Sequence, residues 1–111
     1  MSRIALVGSA CLFPDARTPA ELWENVLAQR RAFRRIPPER LRLEDYLAPG
    51  APGPDSIYST EAALITDWNF DRVRFRVPAE AWRSVDPAHW LALDVAGRAL
   101  EDAGFPSGDG L

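Results

Sequence analysis

The chain contains no lysine, and only one cysteine, one histidine and one methionine among its 111 residues. A single cysteine excludes an internal disulfide framework and fits a reducing compartment. Cysteine and histidine together cannot make a structural zinc site, because four ligands are needed and no CxxC, HxxxH or HExxH spacing occurs. Long apolar runs are also missing. The longest, Ile4 to Phe13, is broken by Gly8 and Ser9 and falls far short of the roughly 20 residues that cross a bilayer. Arg3 ahead of this window resembles the start of a secretory leader, but Pro14-Asp15-Ala16-Arg17 offers no small-x-small cleavage pattern. The expectation is a cytoplasmic protein with no membrane partner.

A large excess of either charge is missing too. Thirteen basic residues against sixteen acidic ones give a formal net charge of −3, which argues against wholesale nucleic-acid binding. Every basic residue is arginine, which reads as the codon bias of a GC-rich bacterial genome. What is present is ordinary globular material: 47% hydrophobic and 26% charged residues in 12.3 kDa, the size of one domain. A compact fold of that size buries roughly two-thirds of its unfolded surface.

Ile4-Ala5-Leu6-Val7 is a continuous apolar run closed by Gly8, the pattern of a strand covered on both faces in a parallel sheet. The loop from Ser9 to Arg17 turns through Pro14 and Asp15. Thr18-Pro19-Ala20-Glu21 then starts a helix: Thr18 is the N-cap, Pro19 fits the first turn, and Glu21 can return a bond. Leu22, Trp23, Val26 and Leu27 form its apolar face, and it is expected to run out between Arg30 and Arg35, before Pro37-Pro38. Residues 37–54 form a long proline-rich connection, with a helical turn expected within Glu39 to Tyr46. Leu41, Leu43, Tyr46 and Leu47 would anchor it, and connections this long usually wrap a larger body or carry function. Ala62 to Ile65 read as a short extended piece. Val73, Phe75 and Val77 alternate with Arg72, Arg74 and Arg76, a period-2 pattern for a half-buried strand. Pro78 opens a helical turn through Trp82. Asp86-Pro87 opens a helix to Ala103, with Gly104 as its stop. Trp90, Leu91, Leu93, Val95, Ala96 and Leu100 surround most of that helix, as in one buried between layers.

The chemistry-bearing residues are sparse. Cys11 just beyond a strand could be a nucleophile, yet no sequence feature brings His89 to it as a base, and a small buried cysteine is the favoured reading. Gly8 to Phe13 lacks both GxGxxG and GxxxxGK, and bulky Leu12 and Phe13 would obstruct a phosphate. Arg30, Arg31, Arg34, Arg35, Arg40 and Arg42 cluster with only Glu39 opposing and Phe33 as the one interleaved aromatic. A solvated surface or a domain contact fits that cluster better than phosphate neutralisation. The carboxylates Glu44-Asp45, Asp67, Asp71 and Glu101-Asp102 are scattered and form no acid–base pair. By residue chemistry, no catalytic, cofactor-binding or metal-binding residue is assigned.

Arg3-Ile4-Ala5-Leu6-Val7-Gly8-Ser9-Ala10-Cys11-Leu12-Phe13-Pro14 resembles the opening of the β-ketoacyl synthase domain of type I polyketide synthases, where the pattern is close to IAIVGMACRFP. The likeness continues in order. Thr18 to Asn25 is similar to TPEEFWEN, Ile36 to Arg40 to IPPERW, Asp86 to Ala96 to DPQQRLLLEVA, and Leu100 to Gly104 to ALEDAG. Two blocks depart: Ser59 to Leu64 stands where the family has RxGGFL, and Val73 to Ala81 where it has FFGISPREA. The stretches YSTEAALI, FDRVRFRV and HWLALDVA look more like the iterative synthases of enediyne polyene precursors.

The resemblance implies an α/β chain, residues 1–111, forming the N-terminal portion of a thiolase-like ketosynthase fold and incomplete on its own. The implied parent reaction is a decarboxylative Claisen condensation. An active-site cysteine takes an acyl chain from a phosphopantetheine arm, and two histidines assist decarboxylation of malonyl on an acyl carrier protein. In the family those three residues lie beyond the stretch matched here, and Cys11 aligns with a cysteine that is not the nucleophile. The implied partners are the remainder of the ketosynthase domain and synthase, an acyl carrier protein, and a second copy in a homodimer, with no nucleic acid. The other reading is an interaction protein that docks a synthase subunit or an acidic carrier protein through apolar faces or the Arg edge. The chain by itself is expected to be poorly soluble, oligomeric or loosely packed.

Overall fold

The computed structural model describes residues 3–47 and 53–106. In chain order these form helix α1 (Pro19–Leu27), strand β1 (Phe33–Arg35), a single helical turn α2 (Leu43–Tyr46), strand β2 (Glu61–Ala63), α3 (Ala79–Ser84) and α4 (Pro87–Asp102).

The helix starts follow their capping chemistry. Thr18 Oγ1 accepts from the Glu21 N–H at 3.2 Å. The Glu21 carboxylate returns a bond one residue earlier than a capping box would, to the Arg17 N–H at 2.6 Å. Asp86 Oδ1 caps α4 by accepting from Ala88 N–H at 2.8 Å, and Pro87 occupies the first helical position. Gly104, at φ 88, ends α4 in the left-handed region that glycine adopts without strain. The Pro14-Asp15 turn also forms. Phe13 and Ala16 exchange backbone hydrogen bonds of 2.8 and 3.0 Å, with Asp15 at φ 60.

Three expectations of local conformation are corrected. α1 stops at Leu27, before the Arg30 to Arg35 stretch, because Gln29 turns to φ 52 and its chain cannot continue a right-handed helix. Val73 to Val77 is no strand. Asp71 Oδ1 accepts from the N–H groups of Val73 and Arg74 at 3.1 and 3.0 Å and winds the segment into helical turns, which Arg76 at φ 52 closes. Ile4 to Val7 forms no strand among the described residues, with Ile4 96% and Leu6 99% exposed. A strand needs a neighbour to take its backbone N–H and C=O groups, and no described segment lies beside it.

The observed sheet is a two-stranded antiparallel ribbon that the sequence patterns did not single out on its first side. Phe33, Arg34 and Arg35 pair with Ala63, Ala62 and Glu61, and the ladder extends to a 2.9 Å bond from the Ile36 N–H to the Thr60 carbonyl. The long connection between the strands is anchored by buried Leu43 and by the bond from the Ile57 N–H to the Tyr46 carbonyl at 2.9 Å; Tyr46 and Leu47 stay largely exposed. Its centre, residues 48–52, lies outside the described residues.

Among the described residues the core is small, with Ala16, Leu43 and Phe70 as its buried apolar members. α4 is not enclosed on several sides as its composition predicts, since Leu93 and Ala96 face solvent. The chain exposes 9325 Å², against about 6,100 Å² for a self-contained globule of this mass. Its radius of gyration is 18.6 Å, against about 13 Å for a compact chain of this length.

Candidate functional site

The aromatic ring contacts among the described residues form one group between residues 68 and 90. Phe70 sits at its centre, its ring 5.1 Å from Phe75, 5.5 Å from Trp82 and 5.4 Å from Trp90, each in a stacked arrangement. Trp68 closes one side at 6.3 Å. These offset contacts each add about 1 kcal/mol to ordinary apolar burial. Phe75 reaches α4 because Gly97 leaves room: a Cβ there would come within 3.0 Å of the Phe75 ring. Arg74 lies 5.1 Å from the Phe75 ring centroid and pairs with Glu101, tying the turn to α4 a second time.

Asp94 is the buried charge of this region. Its Oδ2 accepts from the Trp68 indole N–H at 2.9 Å and from Arg98 at 2.6 Å. A buried carboxylate needs its charge matched, and here the i+4 arginine does so while the indole adds a second hydrogen bond to the same oxygen. Sequence reasoning passed over Asp94 as a site. The clue available was a lone acid amid Trp90 to Ala96 with arginine four residues on. Trp90 Nε1 is buried without a partner among the described residues.

The opening segment meets α4 at a glycine. A Cβ on Gly8 would lie 2.5 Å from the Ala99 carbonyl oxygen and 2.7 Å from Ala103, and the Ser9 N–H donates to Asp102 Oδ2 at 2.8 Å. Gly8 therefore serves close packing against the last turn of α4.

The residues with potential chemistry stay apart. Cys11 is half-buried, and no hydrogen bond joins it to His89, which is exposed in the first turn of α4. Glu44, Asp45, Asp67 and Asp71 are exposed, and Asp71 is engaged in backbone capping. Among the described residues, no three acid, cysteine or histidine side chains converge on a metal position. Among those residues, too, no helix is long and apolar enough to cross a membrane. Of the arginine cluster, Arg34 pairs with Asp15 at 2.7 Å, Arg30 donates to Asn25 Oδ1 at 3.1 Å, and Arg40 reaches the Ile65 carbonyl at 3.5 Å.

The chain is similar to segments of known synthases. Fumosorinone synthetase of Cordyceps fumosorosea is 38% identical over 108 residues, covering 93% of this chain and 3% of that protein. The polyketide synthase PksL of Bacillus subtilis is 32% identical over 103 residues, 92% of this chain and 2% of its own length. The polyketide synthase component of lovastatin nonaketide synthase from Aspergillus terreus is 35% identical over 105 residues, 92% and 4% respectively. The chain thus spans a few per cent of the length of these relatives, which are bacterial and fungal. The family described as beta-ketoacyl synthase, N-terminal domain, matches residues 1–110, and the chain belongs to that family.

Proposed function

We propose that this chain is the opening segment of the ketosynthase domain of a polyketide synthase and that its own contribution is scaffold. Ile4 to Val7 would be the first strand of a thiolase-like sheet, and α1 and α4 would be covering helices. The reaction of the whole domain would be decarboxylative condensation. An acyl chain passes from a phosphopantetheine thiol to an enzyme thiol, malonyl on an acyl carrier protein loses carbon dioxide, and the resulting carbanion attacks the enzyme thioester, expelling the enzyme thiolate and leaving the lengthened β-ketoacyl chain on the carrier. No residue of this chain is assigned a role in that chemistry. The remaining synthase, a carrier protein and a second ketosynthase copy would be its partners, in a bacterial cytoplasm. The stretches around Tyr58, Phe70 and His89 favour the iterative enediyne class.

The observation that carries this reading is the exposed apolar run at Ile4 to Val7, whose backbone has no partner among the described residues although the adjoining Gly8 and Ser9 pack on α4. A segment with strand composition and no strand partner is suited to pairing outside the chain. The test mixes the chain with a separately produced ketosynthase lacking its first segment and follows decarboxylation of malonyl-carrier protein. The chain alone is expected to be inactive and the mixture active. Condensation by the chain alone would overturn the reading, as would a sharp cooperative melt from a clean monomer.

A further inference from the structure

α4 ends on Glu101 and Asp102, two adjacent carboxylates, with no basic residue in its last turn. The sign is unfavourable for the place. Unpaired carbonyls give a helix C-terminus partial negative charge, so cations suit it and acids weaken it. Both side chains are exposed and could turn to water, yet each takes a donor from a different part of the chain. Glu101 pairs with Arg74, which lies beside the Phe75 ring, and Asp102 Oδ2 accepts the Ser9 N–H at 2.8 Å. Among the described residues, that is the one hydrogen bond made by the backbone of residues 3–12. One residue earlier, Gly8 lies against the same turn, with room for no side chain between it and Ala99 or Ala103. Positions 99, 102 and 103 share one face of a helix, so the steric contact and the polar one fall side by side.

We propose that Glu101 and Asp102 form a latch, in which Asp102 is the positioning residue that fixes, through the Ser9 N–H, where the opening segment leaves α4. The latch works against the helix that carries it, which is why its role can be separated from helix stability. A carboxylate accepting a backbone N–H makes a charge-assisted bond, stronger than a neutral one. The bare Gly8 lets the segment come close enough for that bond to form. Glu101 meanwhile ties the same last turn to Arg74 and the Phe75 side. The segment therefore takes its position from the packed rings and not from a helix end free to fray. Ile4 to Val7 lie directly upstream, and contacts at two consecutive residues fix both the point and the direction of departure. That this direction serves strand pairing rests on the proposed function; the latch itself does not.

The test compares Asp102→Ala and Asp102→Asn with the parent chain by amide hydrogen exchange. Alanine removes the acceptor and the misplaced charge, and it is the better helix former. Its two effects therefore have opposite signs. The Ser9 amide is expected to exchange about tenfold faster. The amides of Ala103, Gly104 and Phe105, which bond back to Ala99, Glu101 and Leu100, are expected to slow. Asparagine keeps an acceptor oxygen and is expected to bring Ser9 exchange back to within about threefold of the parent. An alanine variant with Ser9 unchanged overturns the proposal. So does one in which both sets of amides speed up, since Asp102 would then serve only the helix end. When a ketosynthase lacking its first segment is added, the alanine variant is expected to need about tenfold more chain than the parent or the asparagine variant for half-maximal malonyl decarboxylation. An equal requirement for all three overturns the positioning role. An inactive parent mixture overturns the strand reading alone, with the latch decided by the exchange data.

Discussion

The stretch from Trp68 to Asp102 and the stretch from Ile4 to Phe33 are both rich in apolar side chains, and they treat them in opposite ways. In the later stretch Phe70 is enclosed by three stacked rings and Asp94 has both an arginine and an indole. In the earlier one Ile4 and Leu6 are almost wholly bare, and Trp23, Val26, Leu27 and Phe33 on α1 and β1 are exposed as well. Composition does not separate them, but the reach of the partners does. The aromatic knot finds its contacts within about one helix length along the chain, whereas a strand of a parallel sheet needs a neighbour brought in by a long crossover. One region is already assembled; the other, on the proposed reading, takes its partners from outside the chain.

This contrast sets the expected size of substitutions. Phe70→Ala removes the centre of the knot and is expected to cost about 3–5 kcal/mol of local stability, read as lost hydrogen-exchange protection in α4 and altered tryptophan fluorescence. Gly8→Ala puts a methyl group against the Ala99 carbonyl. It is expected to cost about 1–3 kcal/mol at that joint, seen as a shifted Ser9 amide resonance while the aromatic knot is unchanged. Thr18→Ala removes the α1 cap and is expected to cost about 1 kcal/mol, measured as reduced helicity on warming. Leu6→Asp is expected to change the chain's own stability by less than about 0.5 kcal/mol. In a complete condensing domain the same change would bury an unpaired carboxylate and abolish assembly. A large effect of Leu6→Asp on the chain alone would erase the contrast between the two regions.

Helix starts are legible in the sequence because capping is local chemistry: Thr18-Pro19 and Asp86-Pro87 each carry their own hydrogen-bond acceptor and φ constraint. The Pro14-Asp15 turn and the stop at Gly104 are legible for the same reason. The Val73–Val77 segment misleads because its alternation of arginine with apolar residues satisfies the strand period. Asp71, two residues upstream, captures the same backbone N–H groups in a turn. The end of α1 escapes notice because a left-handed Gln29 leaves no compositional mark. Strand β1 is three residues of Phe-Arg-Arg and has no period to detect. In the site, Gly8 draws attention as a nucleotide-loop glycine, yet its requirement is the nearby Ala99 carbonyl, 91 positions along the chain, which no local pattern encodes. The aromatic knot joins rings from a loop, a turn and two helices, and only the fold brings them together.

Amide hydrogen exchange at Ala5, Leu6 and Val7 tests the scaffold interpretation most directly, measured for the chain alone and after addition of the rest of a ketosynthase domain. In the chain alone these amides are expected to exchange as freely as those of an unstructured peptide, while α4 is protected. With the remainder present they are expected to become strongly protected as the strand gains neighbours. Protection already present in the chain alone, or none in the mixture, would contradict the proposal that this segment becomes a strand completed from outside.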